Sequence, residues 1–375
     1  MKGFFVFLFF IGAGYFLQAQ ERCAIEYTEQ LRRQRNPKLE NAEQFEDWIQ
    51  QRVVDPRNTL FQMRTQTTLM IPVVVHVIHN GEPIGTGTNI SDAQINSQIS
   101  VLNKDFQRLN ADANLTPAEF LPVAGSMDIQ FVLAKQDPEG LPTTGINRVF
   151  GTQSSWEYSD QYDFKALSYW PAENYLNIWV INLVGGYIGF AQFPVSNLPG
   201  LEDASDDRLT DGVVLKYNVV GSVDDGPFNV QSIYNKGRTG THEVGHFFGL
   251  RHIWGDDSGC NEPGDYVSDT PVQNGSTSSC PSHPQISCST NKMFQNYMDY
   301  TNDACMNLIT QGQVSRMDVV LANSPRRKSL TTSPGLLDPI VVVNDLGIRS
   351  ILTPGSQLCP GMSTPNLEVR NYGTG

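Results

Sequence analysis

The apolar positions of the chain form one continuous run, then a polar stretch, then alternating strand-like and helix-like segments. The continuous run, Gly3 to Leu17, follows a single lysine and gives way to Gln18-Ala19-Gln20. It is shorter than the roughly 20 apolar residues of a spanning helix. Its flanks are those of a secretory signal cut near Ala19 or Gln20, so residues 1–20 are expected to be removed. Residues 21–66 are polar and charged, with Arg32, Arg33 and Arg35 close together. Within them Asn41 to Val53 reads as one short helix carrying Phe45 and Trp48 three positions apart. Arg52, Arg57 and Arg64 offer trypsin-like cleavage points before the first strong strand, which is the layout of a removable propeptide.

From Leu69 to Ile78 the β-branched run LMIPVVVHVI predicts a buried strand. Ser91 with Gln94 has capping-box spacing and opens a helix whose Ile95, Ile99, Leu102, Phe106 and Leu109 recur at core-facing intervals. Asp128–Ala134, Asn177–Leu183 and Asp211–Tyr217 predict further strands, and Gly185 to Gly189 a turn or bulge in an edge strand. A helix follows from about Gly237 to Phe248. This order predicts an α+β protein with a mixed sheet. From Ser333 the composition shifts to prolines and short apolar segments, read as a linker and the first strands of a β-sandwich module over residues 333–375.

Hydrophobic content of 39% with 17% charged residues fits a globular chain, and 375 residues allow one large domain or two ordinary ones. A formal charge of -13 argues against nucleic acid or an anionic membrane as the main partner and suits bound calcium. No later segment is apolar enough for a membrane anchor, and Gln20-Glu21-Arg22 before Cys23 lacks the small apolar pattern of lipid attachment. Export makes the six cysteines disulfide candidates. Cys260, Cys280, Cys288 and Cys305 cluster in a segment rich in Gly, Ser, Asp and Pro, where three pairings are possible; Cys23 and Cys359 stand apart. His76 and His79 read as core or surface residues, and His283, in a Pro-flanked loop, as solvent-facing.

The chemistry concentrates in His242-Glu243-Val244-Gly245-His246-Phe247-Phe248-Gly249-Leu250-Arg251-His252, an H-E-x-x-H-x-x-G-x-x-H pattern. Four residues apart on a helix, His242 and His246 share one face and can grip one ion. Gly249 lets the backbone leave the helix with positive φ, and His252 returns as a third nitrogen. Three protein ligands leave a fourth position for water, as in catalytic zinc sites. Glu243 stands beside that position.

This motif, with Asn296-Tyr297-Met298-Asp299-Tyr300-Thr301 beyond it, resembles the metzincin clan of zinc endopeptidases. Gly264-Asp265-Tyr266-Val267-Ser268-Asp269-Thr270-Pro271, the Thr310-Gln311-x-Gln313-x-x-Arg316-Met317 run and the four clustered cysteines narrow the resemblance to the pappalysin (M43, cytophagalysin) family, from about Leu69 to Ala322. The resemblance implies a metzincin-like catalytic domain over residues 67–332, with a mixed twisted sheet, an active-site helix and an irregular disulfide-stapled C-terminal subdomain. It implies a secreted Zn2+-dependent endopeptidase acting on protein or peptide substrates. His242, His246 and His252 would be the zinc ligands, Glu243 the general base, Tyr300 a stabiliser of the oxyanion and Met298 the methionine beneath the imidazoles. It implies disulfides Cys260–Cys288 and Cys280–Cys305, and Ca2+ held by Asp265, Thr270 and the Ser268 carbonyl. Cys23 stands where family proenzymes carry a cysteine that blocks the zinc, making the propeptide (residues 21–66) the protein's own inhibitor. Ala24 replaces the usual following glycine, and a Cys23–Cys359 disulfide or a free thiol is the competing reading. Asp299 and Asp303, near the Met turn, suggest a preference for a basic residue after the scissile bond.

Overall fold

The computed structural model describes residues 22–53, 68–198, 207–256, 259–339, 346–353 and 364–371. The signal-like run, Arg57, Arg64 and Cys359 lie outside them. Two N-terminal helices, α1 (Ile25–Arg35) and α2 (Ala42–Val53), precede strand β1 (Leu69–His79) and helix α3 (Asp92–Phe106). Then come β2 (Ile129–Leu133), β3 (Ile146–Phe150), the short α4 (Gln161–Ala166), β4 (Leu176–Ile181), β5 (Gly189–Ala191) and β6 (Val213–Lys216). Helix α5 (Arg238–Phe247) carries the histidine motif. Beyond it lie a small hairpin, β7 (Ile286–Ser287) with β8 (Thr290–Asn291), helices α6 (Gln311–Asn323) and α7 (Pro325–Lys328), and the antiparallel pair β9 (Leu346–Thr353) and β10 (Asn366–Asn371). Among the described residues no helix is long and apolar enough to cross a membrane.

The mixed sheet is built around β1. Its first half pairs in parallel with β2 from Leu69↔Ile129 to Val73↔Leu133, and its second half with β3 from Val75↔Ile146 to His79↔Phe150. On the other side β4 pairs with β1 in parallel, β6 with β4 in parallel, and β5 closes the sheet antiparallel to β6. Parallel pairing buries both faces of β1, which is why its sequence is largely apolar instead of alternating. Val73, Val75 and Val77 meet Ile95, Ile99 and Leu102 of α3 and Val244 and Phe247 of α5 in the main core. Ile78 on the opposite face packs with Trp156, Phe164, Trp179 and Phe190. His76 is buried and bonds Asn177 Oδ1 at 2.8 Å.

Several local expectations are corrected. Ser91 Oγ accepts from Gln94 N at 3.2 Å, but Gln94 Nε2 donates to Val220 O at 2.9 Å instead of returning to residue 91. Only half of the capping box forms. Leu109 is 68% exposed, because α3 ends at Phe106 and Arg108 adopts φ +54°. His283 is partly buried, not solvent-facing, with Nε2 2.6 Å from Glu119 and its ring against Phe120 and Phe294. Packing also continues past the compositional change at Ser333: Lys135 N donates to Gly335 O at 2.8 Å, and Ser333 Oγ to Asn174 O at 2.6 Å.

Helix α1 carries no clear apolar stripe; tertiary contacts hold it. Arg32 donates to both oxygens of buried Asp207, at 2.5 and 2.9 Å, and to Phe193 O at 3.0 Å. Asp207 also meets Arg326, and Asp211 binds Arg326 and Arg327, so charges from α1 and α7 meet in one buried network. Lys165 lies nearby, fully buried over Trp179 and Phe190, with Nζ 2.7 Å from Thr210 O. Burial lowers its ammonium from the ordinary 10.5 to about 7. The unfolded chain therefore binds this proton more tightly than the folded one, and stability should rise with pH between about 7 and 10. Denaturant unfolding of the full chain across that range should show a slope of at most about 1.4 kcal/mol per pH unit from this group, and Lys165→Met should flatten it.

Candidate metal centre and catalytic cleft

Helix α5 is pinned at its start: Asp303 Oδ2 accepts from Lys236 N and Arg238 N at 2.9 and 3.1 Å, and Thr241 Oγ1 donates to Asp105 Oδ2 at 2.8 Å. His242 and His246 project from one face. At the far end Gly249 has φ +89° and Leu250 N reaches back to Gly245 O at 3.0 Å, so the chain reverses and His252 returns to the same point. His246 Nε2 is 3.1 Å from His242 Nε2 and 3.1 Å from His252 Nε2.

The opposite ring nitrogens decide what this means. His242 Nδ1 donates to Tyr297 O and His246 Nδ1 to Leu250 O, both at 2.7 Å. His252 Nδ1 bonds the Asp256 carboxylate. With Nδ1 carrying the hydrogen, each Nε2 presents a lone pair inward. Burial and the neighbouring rings hold His242 well below the ordinary imidazole range; burial, then His252, brings His246 down to about 3. Three acceptors packed this closely repel one another unless a cation lies between them, and neutral imidazole is a preferred zinc donor. The donor set fits Zn2+.

Met298, fully buried, packs against the motif helix: its Sδ would be 2.6 Å from a Cβ placed on Gly245, so a residue with no side chain is needed there. Trp254 stacks on His252 at 4.4 Å with planes 4° apart, and Tyr300 stands edge-on to both, at 4.9 Å from His252 and 4.8 Å from Trp254. Glu243 is fully buried, and burial pushes its carboxyl up to about 8. Its Oε2 accepts from the Cys23 thiol at 3.3 Å.

Cys23 is a free, buried cysteine, and its Sγ and the three histidine nitrogens all lie within 4.8 Å of one another. It arrives there by main-chain pairing with the sheet edge: Ala24 N donates to Gly189 O at 3.1 Å and Ile188 N to Arg22 O at 3.0 Å. Beside it Arg22 is fully buried over Tyr234, with its guanidinium 2.9 Å from Thr301 O and 3.3 Å from Asp303 Oδ1. Asp299 faces elsewhere. Its buried carboxylate takes Gln273 Nε2, Thr277 N and Tyr300 N and feels the charge of Lys292, whereas Asp303 bonds Arg22 directly.

The loop after α5 is closed by Cys260–Cys288 and Cys280–Cys305, with Cα separations of 5.4 and 5.8 Å. Asp265 Oδ1 accepts from Thr270 Oγ1 at 2.6 Å and Val267 N at 3.1 Å. Its Oδ2 is buried with no partner among the described residues, and burial raises the carboxyl to about 7. Sequence reasoning missed Trp254 and Asp256. Their nearness to His252, two and four positions on, was the available signal.

The profile of the Peptidase_M43 family, described as pregnancy-associated plasma protein-A, matches residues 159–322. An extracellular metalloprotease of Arthroderma benhamiae is 32% identical over 291 residues, covering 76% of this chain and 83% of that protein. One from Neurospora crassa is 30% identical over 264 residues, covering 68% and 75%. Among solved structures, mature mirolysin of Tannerella forsythia in complex with a cleaved peptide is 44% identical, with TM-score 0.63, covering 71% of this chain and 96% of that one. A promirolysin mutant from the same organism is 40% identical, with TM-score 0.69, covering 83% and 97%. The chain belongs to the M43, or pappalysin, family of metallopeptidases and is a metalloendopeptidase.

Proposed function

We propose that the protein is a secreted zinc endopeptidase made as a latent proenzyme, with His242, His246 and His252 as metal ligands, Glu243 as general base and Cys23 as the blocking ligand. The observation that carries this reading is the convergence of three Nε2 lone pairs on one point, beside Glu243 and the Cys23 thiol. His242, His246 and His252 would hold zinc, which would supply Lewis acidity toward the scissile carbonyl and an acidified water. Glu243 takes the proton of the attacking water and passes it to the leaving amine. The Tyr300 phenol donates to the developing oxyanion, a contribution of about 3 kcal/mol for a well-placed donor. The sheet edge at Gly189, used by residues 22–24 in the proenzyme, pairs with substrate backbone once they leave. Names of relatives as extracellular metalloproteases, and the signal-like residues 1–20, support export. The guanidinium of Arg22 against Asp303 supports a subsite for a basic residue after the scissile bond. The partnerless Asp265 oxygen supports a calcium site completed by Thr270 and the Ser268 carbonyl, since hard cations take carboxylate and carbonyl oxygens.

The activated wild-type chain should cleave a proteome-derived peptide library with Arg or Lys enriched at P1′ and lose activity to a zinc chelator. Glu243→Ala should keep zinc and fold while kcat drops about 10²–10⁴-fold, and Cys23→Ala should activate earlier. Full turnover by the Glu243 variant would remove the general-base assignment, and no P1′ enrichment the basic subsite. Asp256→Ala, which frees His252 Nδ1, should weaken zinc retention about 10- to 100-fold in a competitive chelation assay. Calcium should raise the melting temperature of the wild type but not of Asp265→Asn; equal shifts would dismiss that site.

A further inference from the structure

Helix α2 brings an acid to a place where the catalytic domain has prepared two cations. Glu46, 2% exposed, receives Arg316 Nη1 at 2.6 Å and Nη2 at 2.7 Å, and Arg251 Nε at 2.7 Å. Each guanidinium also has an anchor in the catalytic domain besides Glu46. Arg316 rises from α6 and is fixed by Nε donating to Gly249 O at 2.7 Å. Arg251 lies between the rings of Phe193 and Tyr266, at 5.3 and 5.6 Å. Around the ion pair, Phe45, Trp48 and Ile49 of α2 bury themselves against Phe193 and Val320, and Trp48 Nε1 donates to Asn197 Oδ1 at 2.8 Å.

A bidentate fork and a second guanidinium, both held by the catalytic domain and opening on an apolar surface, form a carboxylate receptor. Removal of residues 21–66 takes the carboxylate away and leaves two partly desolvated cations, an arrangement that strongly favours a replacement anion.

We infer that Arg251 and Arg316 form a carboxylate-binding exosite of the mature enzyme, filled by Glu46 before activation and afterwards by an acidic residue on an amphipathic helical peptide. The reading of residues 21–66 as a removable propeptide underlies this, and mass analysis of the activated enzyme checks it separately. Arg316 holds the carbonyl of Gly249, three residues before His252, so the exosite shares a side chain with the loop that closes the metal centre.

The test uses the activated enzyme and a labelled synthetic peptide of residues 41–53, with binding followed by fluorescence anisotropy. The peptide should bind saturably, and its Glu46→Gln form at least about 30-fold more weakly, the loss typical when one partner of a buried charge pair is removed. Arg251→Gln enzyme should bind the native peptide more weakly and discriminate less between the two peptides than wild type does, a coupling that simple loss of apolar contact does not produce. Equal affinity of the two peptides for wild-type enzyme, or strictly additive effects in this cycle, would overturn the exosite. So would saturable binding that millimolar acetate fails to weaken while a scrambled peptide binds equally well.

Discussion

Three imidazole nitrogens converge, with His246 Nε2 3.1 Å from each of the other two and the lone pairs facing one another, and the rest of the molecule is arranged to keep them so. Such a cluster requires each ring to be held by its other nitrogen. The three holders come from different parts of the chain: Tyr297 O from the Met turn, Leu250 O from the turn that Gly249 permits, and Asp256 from the loop beyond. That explains why a region with so little apolar content must nevertheless be rigid. Its two disulfides do part of what a core does elsewhere, by limiting the alternatives open to the unfolded chain. Met298 lodges against the bare backbone of Gly245.

The parts of this design that sequence revealed are those governed by short-range periodicity or by strict chemical spacing. The strands around Val73, Ile178 and Val214 announce themselves because burial on both faces demands continuous apolar side chains. The histidines do so because helix pitch fixes their four-residue interval. The partners that finish each element are harder to see. Gln94 looked like a cap because its spacing was right, but a carbonyl more than a hundred residues away claimed its side chain. Leu109 followed the helical interval, but one positive-φ residue at Arg108 had already ended the helix. Helix α1 carries too little apolar periodicity to be recognised, since its stability comes from an arginine reaching Asp207 in a distant loop. Asp299 and Asp303 are indistinguishable as letters; only the fold gives one to a loop's amides and the other to Arg22.

Charged groups buried at the junction between the N-terminal helices and the domain below are also instructive. Arg32 with Asp207, and Glu46 with Arg316, are long-range pairs whose desolvation is costly, so they add less to net stability than their number suggests. Their value lies in selectivity. An apolar contact tolerates sliding by a residue, whereas a bidentate ion pair has one register. Such pairs can hold the segment so that Cys23, and not a neighbour, meets the histidines.

Under the proposed latency, the pairing of Arg22 and Ala24 with the sheet edge at Gly189 makes activation a question of tethering. Because the blocking segment is part of the same chain, its local concentration at the cleft is set by tether length and is typically millimolar, whatever the protein concentration outside. Modest intrinsic affinity is then enough to keep the cleft filled. One backbone cut between the helices and β1 abolishes that advantage without altering a single contact at the site. Occupancy then depends on dilution, so the same cleaved complex would stay silent in a crowded compartment and become active as it disperses.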